Sequence, residues 1–300
     1  MGSGTYSASA YLNESSIRDY SSKSINAIFT NTAGSTANSL GSLKVHSRKN
    51  NTKNIKKEML NIGVRECRDS EEHPNSTPII IALDVTGSMG RIPYEMVKVY
   101  LPKLMGAIQQ MGIPDPQLLF MAVGDHEWDS YPIQIGEFES DTAKILDMLE
   151  SLYLEGGGGG NEGESYLLAH LIAGYHTETD SWFKRNTKGY LFTIGDEPNL
   201  REVDSESLVH KLGYERGISP ISAVEALAKA QEQYHVFHIH VTDGTHRLSN
   251  SWKELLGDHL LTCHSSEIAK TIAQAIKDNA QDLGTSVKEE TIEENEERTY

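Results

Sequence analysis

Three hundred residues, 38% of them apolar, with a formal charge of −16, make a chain able to bury a core. It is too acidic for nucleic acid to be its main partner, because phosphate neutralisation needs basic surface. The longest apolar runs are strand-sized and no basic start leads into an apolar stretch, so neither a membrane span nor a secretory signal is expected. Two cysteines, Cys67 and Cys263, are few for a disulfide scaffold, which points to a reduced, cytoplasmic protein.

The charge is uneven. Residues 1–60 carry eight Lys/Arg against three Asp/Glu, leaving −21 on the remainder. This stretch is rich in Ser, Asn, Thr and Gly and lacks periodic apolar positions, so residues 1–76 are expected to form a basic, poorly structured arm. Tyr6, Tyr11, Tyr20, Ile25, Ile28 and Phe29 are its candidate anchors.

From Thr77 the pattern becomes that of a folded domain, expected over 77–283. Residues 77–84 form a continuous apolar run that suits a strand buried on both faces. A helix follows over 92–111, with Pro102 expected to kink it. Strands are expected at 117–124, 132–138, 190–195, 235–241 and 259–263. Helices are expected at 141–154 with Asp141 as cap, at 163–175, at 219–234 and at 265–283 with Ser265 or Ser266 as cap. Strands alternating with helices predict an α/β fold, a doubly wound and mostly parallel sheet flanked by helices. Residues 284–300, with six glutamates, form an acidic tail expected to be disordered.

Ligands of such sheets bind beyond the carboxyl ends of the strands, at the switch point in strand order. There, Asp84-Val-Thr86-Gly-Ser88-Met-Gly90 brings a carboxylate and two hydroxyls onto one tight loop. Oxygen donors of this hardness suit Mg²⁺, Mn²⁺ or Ca²⁺. By itself the pattern also fits an ordinary strand-to-helix turn with capping hydroxyls. Phe192-Thr-Ile-Gly-Asp196-Glu197-Pro198 carries a second carboxylate to a strand end. Between them, a run of five glycines leads into Asn161, Glu162 and Glu164.

These three segments, in this order, resemble the von Willebrand factor A domain over roughly residues 77–283. The resemblance implies a metal-ion-dependent adhesion site, with Asp84, Thr86 and Ser88 as first-loop ligands and Asp196 as the late aspartate. Gly160 stands where the family has a loop threonine, so that Asn161 beside it, or water, is expected to complete the shell. Asp125, His126, Glu162, Glu164 and Glu197 are expected around the ion or against a partner. Asp243 is the other candidate for the late aspartate; Asp196 is preferred because its strand directly follows the glycine loop and its helix. His238 and His240 share one strand face but lack a third ligand, which favours packing over zinc binding.

The glycine-rich variant is closer in style to bacterial and phage intracellular members. By that resemblance the chain is a binding module, not an enzyme. Its divalent ion, Mg²⁺ before Mn²⁺ or Ca²⁺, takes an acidic residue of a protein partner, and an AAA+ ATPase of the MoxR type is one such partner. The alternatives are a metal-dependent hydrolase with His126 or Glu127 as base, or a structural component of a phage or contractile assembly.

Overall fold

The computed structural model describes residues 4–23, 57–154 and 163–280. In chain order the elements are α1 (Ala8–Ile17), β1 (Arg65–Cys67) and β2 (Thr77–Asp84), then the long helix α2. That helix runs through Ile92–Glu95, a π-helical turn Met96–Tyr100 and Leu101–Gln110. Next come β3 (Pro116–Val123), β4 (Ile133–Ile135), α3 (Thr142–Glu150), α4 (Tyr166–Tyr175), β5 (Thr177–Thr179), α5 (Asp180–Arg185) and β6 (Gly189–Gly195). The remainder is β7 (Glu202–Val203), α6 (Ser205–His210), β8 (Ile221–Ser222), α7 (Ala223–Gln233), β9 (Tyr234–Val241), α8 (Asn250–Leu256), β10 (Leu260–Cys263) and α9 (Ile268–Asn279).

The central sheet has the order β10-β9-β6-β2-β3-β4, parallel except for the edge strand β4. Every residue of β2 is buried, as expected for a central strand covered on both faces. Its side chains alternate between two cores. Ile79, Ile81 and Leu83 join α2, α3 and α9 on one face, while Ile80 and Ala82 join α4 and α7 on the other. The chain leaves β2 towards β3 and leaves β6 towards β9, so the switch point lies between β2 and β6. Among the described residues no helix is long and apolar enough to cross a membrane.

Two stretches of the expected arm are instead packed on the body. Tyr6, Tyr11 and Tyr20 are all buried, and Arg18 pairs with Asp147 at 2.9 Å and Glu150 at 3.0 Å on α3. Farther along, the guanidinium of Arg65 donates to the carbonyls of Glu58, Asn61, Gly63 and Gly136. Single aromatic or arginine anchors at long range stabilise these segments without the apolar periodicity that betrays an amphipathic element. Ile25, Ile28 and Phe29 lie outside the described residues, as does the tail 284–300.

Pro102 acts through α2 in a way that differs from a simple kink. It has no N–H for the Lys98 carbonyl, and the preceding π turn takes the Leu101 N–H to Met96 O, which frees the Val97 carbonyl as well. The Tyr11 hydroxyl lies 3.1 Å from Val97 O and 3.0 Å from Lys98 O. The docked N-terminal helix thus supplies the donor that proline removes. At the other end of the chain, Ser265 does not cap α9. A 3₁₀ turn, Ser265–Glu267, precedes that helix, and Ser265 donates its N–H and hydroxyl to Asp243 at 2.7 Å each.

Candidate metal centre

Asp84 is the last residue of β2, and its register neighbour Leu83 pairs with Ile194 of β6. The carboxyl ends of these two strands therefore face the same crevice at the switch point. The Asp84 carboxylate organises the loop that follows: Oδ1 accepts from the N–H of Thr86 at 2.8 Å and from its hydroxyl at 2.6 Å. Thr86 Oγ1 lies 3.2 Å from Ser88 Oγ, which donates to Asp196 Oδ1 at 2.7 Å. A continuous chain of polar contacts, Asp84–Thr86–Ser88–Asp196, thus joins the two strand ends. Gly90 closes the loop at φ 52, a conformation that carries little penalty for glycine.

Each carboxylate has a second anchor. Tyr166, at the start of α4, donates its hydroxyl to Asp84 Oδ2 at 2.7 Å. The Tyr166 ring packs edge-on against His238 and Trp252, with centroids 5.1 and 5.4 Å away. Gly195 makes that reach possible, since a Cβ there would lie 1.8 Å from the Tyr166 oxygen. Asp196 Oδ2 accepts from the backbone N–H groups of Thr245 and His246 at 2.5 and 2.9 Å. A Cβ on Gly244 would meet the Asp196 side chain at 2.5 Å.

Asp84 and Asp196 are fully buried and Glu164 is 3% exposed. Burial, reinforced by Asp196, raises Asp84 to about 7, against hydrogen bonds from Thr86 and Tyr166 that favour its charged form. Glu164 goes higher, to about 10, through burial and the charges of Asp84, Asp129, Asp125 and Glu197. Its Oε2 is buried without a hydrogen-bond partner among the described residues. A buried carboxylate in this position is costly unless protonated or compensated by a positive charge.

The arrangement fits a hard divalent cation. The donors are carboxylate and hydroxyl oxygens only, the class chosen by Mg²⁺, Mn²⁺ and Ca²⁺, and the surrounding excess of negative charge calls for a cation. Among the described residues no group of three or more His, Cys, Asp or Glu side chains forms a metal cage. A ligand set drawn from the described residues here therefore includes the hydroxyls of Thr86 and Ser88.

The other residues singled out from sequence fall into distinct places. Asp125 is fully buried, and its Oδ1 accepts from the Glu127 N–H at 2.8 Å, folding the loop after β3. His126 is held by Ser165 Oγ, 2.7 Å from Nδ1, and its Nε2 is 3.8 Å from Asp204; burial lowers its basicity. Glu197 pairs with His246 Nε2 at 2.7 Å, and its carbonyl accepts from Trp252 Nε1 at 2.9 Å. Asn161, Glu162 and Gly160 lie outside the described residues. Asp243 accepts from the N–H and hydroxyl of Ser265 at 2.7 Å each. His238 stacks on Trp252 at 3.7 Å and contacts Thr193 Oγ1 at 2.9 Å. Tyr166, the amides of Thr245 and His246, and the space-limited Gly195 and Gly244 were not evident in the sequence. An apolar helix bearing one tyrosine reads as core, and a backbone donor leaves no residue signature.

No protein-family model and no curated protein matches the sequence. Solved structures with a similar fold include the pilus adhesin SpaC from Lactobacillus rhamnosus GG, 10% identical over 72% of this chain and 31% of that one, with a TM-score of 0.46. The von Willebrand factor domain of the type V pili tip protein Mfa5 from Porphyromonas gingivalis is 12% identical over 72% and 96%, with a TM-score of 0.43. Proximal thread matrix protein 1 from the mussel byssus, with a zinc-occupied MIDAS motif, is 13% identical over 72% and 49%, with a TM-score of 0.43. The chain spans about a third of the SpaC structure and half of the thread matrix protein.

Proposed function

We propose that the chain is a von Willebrand factor A-type binding module. In this reading it holds a divalent cation, Mg²⁺ in preference to Mn²⁺ or Ca²⁺, and uses it to take a carboxylate from a protein partner. The observation that carries the reading is the polar chain Asp84–Thr86–Ser88–Asp196 at the switch point, with Glu164 Oε2 buried and lacking a hydrogen-bond partner among the described residues. When bound, the cation supplies a Lewis-acidic position for an anionic ligand.

The chain's own residues do the rest. Thr86 and Ser88 would offer hydroxyl oxygens to the cation while their protons stay on Asp84 and Asp196, and being uncharged they would leave most of its charge for an anionic ligand. Tyr166 fixes Asp84, and the amides of Thr245 and His246 fix Asp196. Asn161 would complete the set from the glycine-rich loop. Partner contact would extend to Trp128, 63% exposed on the loop that carries Asp125, and to Leu248, 41% exposed on the segment that follows Thr245. Exposed aromatic side chains of this kind anchor protein interfaces. A MoxR-type ATPase is one partner consistent with the resemblance. Two buried, free cysteines agree with a cytoplasmic setting.

Water-proton relaxation of protein-bound Mn²⁺ tests the reading. A site with an exchangeable position should enhance relaxation, and a glutamate-containing peptide should reduce that enhancement by displacing water. Asp84→Ala should abolish both effects. Bound Mn²⁺ whose relaxation no carboxylate alters would overturn the reading.

A further inference from the structure

A second surface, on the α2–α9 face of the sheet, has a character opposite to that of the acidic body. Between these helices lies a trench of about 430 Å³. Ala107, Ala269 and Ala273 line its floor, Lys103, Lys270 and Lys277 stand at its rim, and among the described residues no carboxylate lines it. All three lysines are exposed. None of them forms an ion pair among the described residues, whereas Lys144, Lys184 and Lys229 each do. On a chain of net charge −16, three uncompensated cations around one apolar trench select an acidic occupant with apolar side chains.

We propose that this occupant is the chain's own segment 281–300, folded back along α9. The segment begins immediately after Ala280, three residues beyond Lys277. It carries seven carboxylates against two cations, with Val287 and Ile292 interspersed. Reach is not limiting. From Ser266 to Lys277 the trench follows α9 for roughly 17 Å at the helical rise, while twenty extended residues span up to ~66 Å. Exposed lysine–glutamate contacts are individually weak and screened by salt. Tethering offsets that weakness by placing the glutamates at an effective concentration of order millimolar beside the trench. The docked segment would cover the face opposite α4 and α7. The inference is independent of the metal reading.

Zero-length carbodiimide cross-linking of the full chain at low micromolar concentration, read by mass spectrometry on the monomer, tests it. Glutamates 289–297 should link to Lys103, Lys270 and Lys277 about tenfold more than to the exposed controls Lys144 and Lys253. Adding 0.5 M salt should bring the two sets close together. The double variant Lys270→Glu/Lys277→Glu changes only exposed positions and should lower the remaining link to Lys103 about tenfold. Links spread evenly over all lysines would overturn the proposal. So would links to Lys103 that survive the double variant, or links confined to a dimeric species, which would make a second copy the donor.

Discussion

Removing the Tyr166 hydroxyl isolates the contribution of one positioning contact. In Tyr166→Phe the ring keeps its packing on His238 and Trp252, while Asp84 Oδ2 loses the donor at 2.7 Å. A hydrogen bond to a charged group is worth about 1.5–3 kcal/mol, and a tenfold change in affinity corresponds to about 1.4 kcal/mol. Loss of a group that orients a metal ligand typically costs roughly 10–100-fold in affinity, and the two estimates agree. The direction with pH also follows. Tyr166 favours the charged form of Asp84, so without it the carboxyl rises further and cation binding requires a higher pH. Mn²⁺ titrations followed by electron paramagnetic resonance at pH 6, 7 and 8 should show an affinity deficit that is largest at pH 6. Near-wild-type circular dichroism would confirm folding. Equal affinities at all three values would refute the argument that Tyr166 orients Asp84.

Gly195→Ala attacks the same contact sterically, with a Cβ 1.8 Å from the Tyr166 oxygen. It should cost about 1–3 kcal/mol in a urea melt and weaken Mn²⁺ binding at least as much as Tyr166→Phe; an unchanged melt would contradict it. In cation-free protein, Asp84 rises from 3.8 to about 7, so the native state holds a proton that the unfolded chain releases. Its contribution is complete below about pH 4 and lost as pH rises through 7. Saturating Mg²⁺ holds Asp84 ionised, so the stabilisation by Mg²⁺ should grow over this interval, which thermal melts at pH 5 and 8 would measure. Tyr11→Phe leaves the carbonyls of Val97 and Lys98 without their donor and should cost about 1–3 kcal/mol in chemical denaturation. No change would mean that water satisfies both groups. Trp128→Ala should weaken partner capture and leave Mg²⁺ affinity unaltered, checked on the same preparation by pull-down and calorimetry.

Much of the architecture was legible because buried parallel strands announce themselves. The run Thr77–Asp84 and the alternation of strands with helices sufficed for the doubly wound sheet, and the residue pattern Asp84, Thr86, Ser88 marked the loop at its switch point. Asp196 was legible for the same reason, as a carboxylate directly after an apolar strand. What escaped were groups whose role depends on distant partners. Tyr166 is a single polar atom in the apolar helix Tyr166–Tyr175, and Thr245 and His246 act through amides that every residue possesses. The N-terminal helix docks by three tyrosines and Arg18, and its own sequence has no apolar stripe to predict a buried face. The pairing of β1 with β5 joins Arg65–Cys67 to Thr177–Thr179, three-residue strands too short for a period to be read.

Calorimetric titration of Mg²⁺ into wild-type, Asp84→Ala and Asp196→Ala protein tests the central claim most directly. A single saturable site in the wild type, lost in both variants while their circular dichroism stays native, is the predicted result. Equal Mg²⁺ binding in all three proteins, or none in the wild type, would contradict a cation held between the ends of β2 and β6.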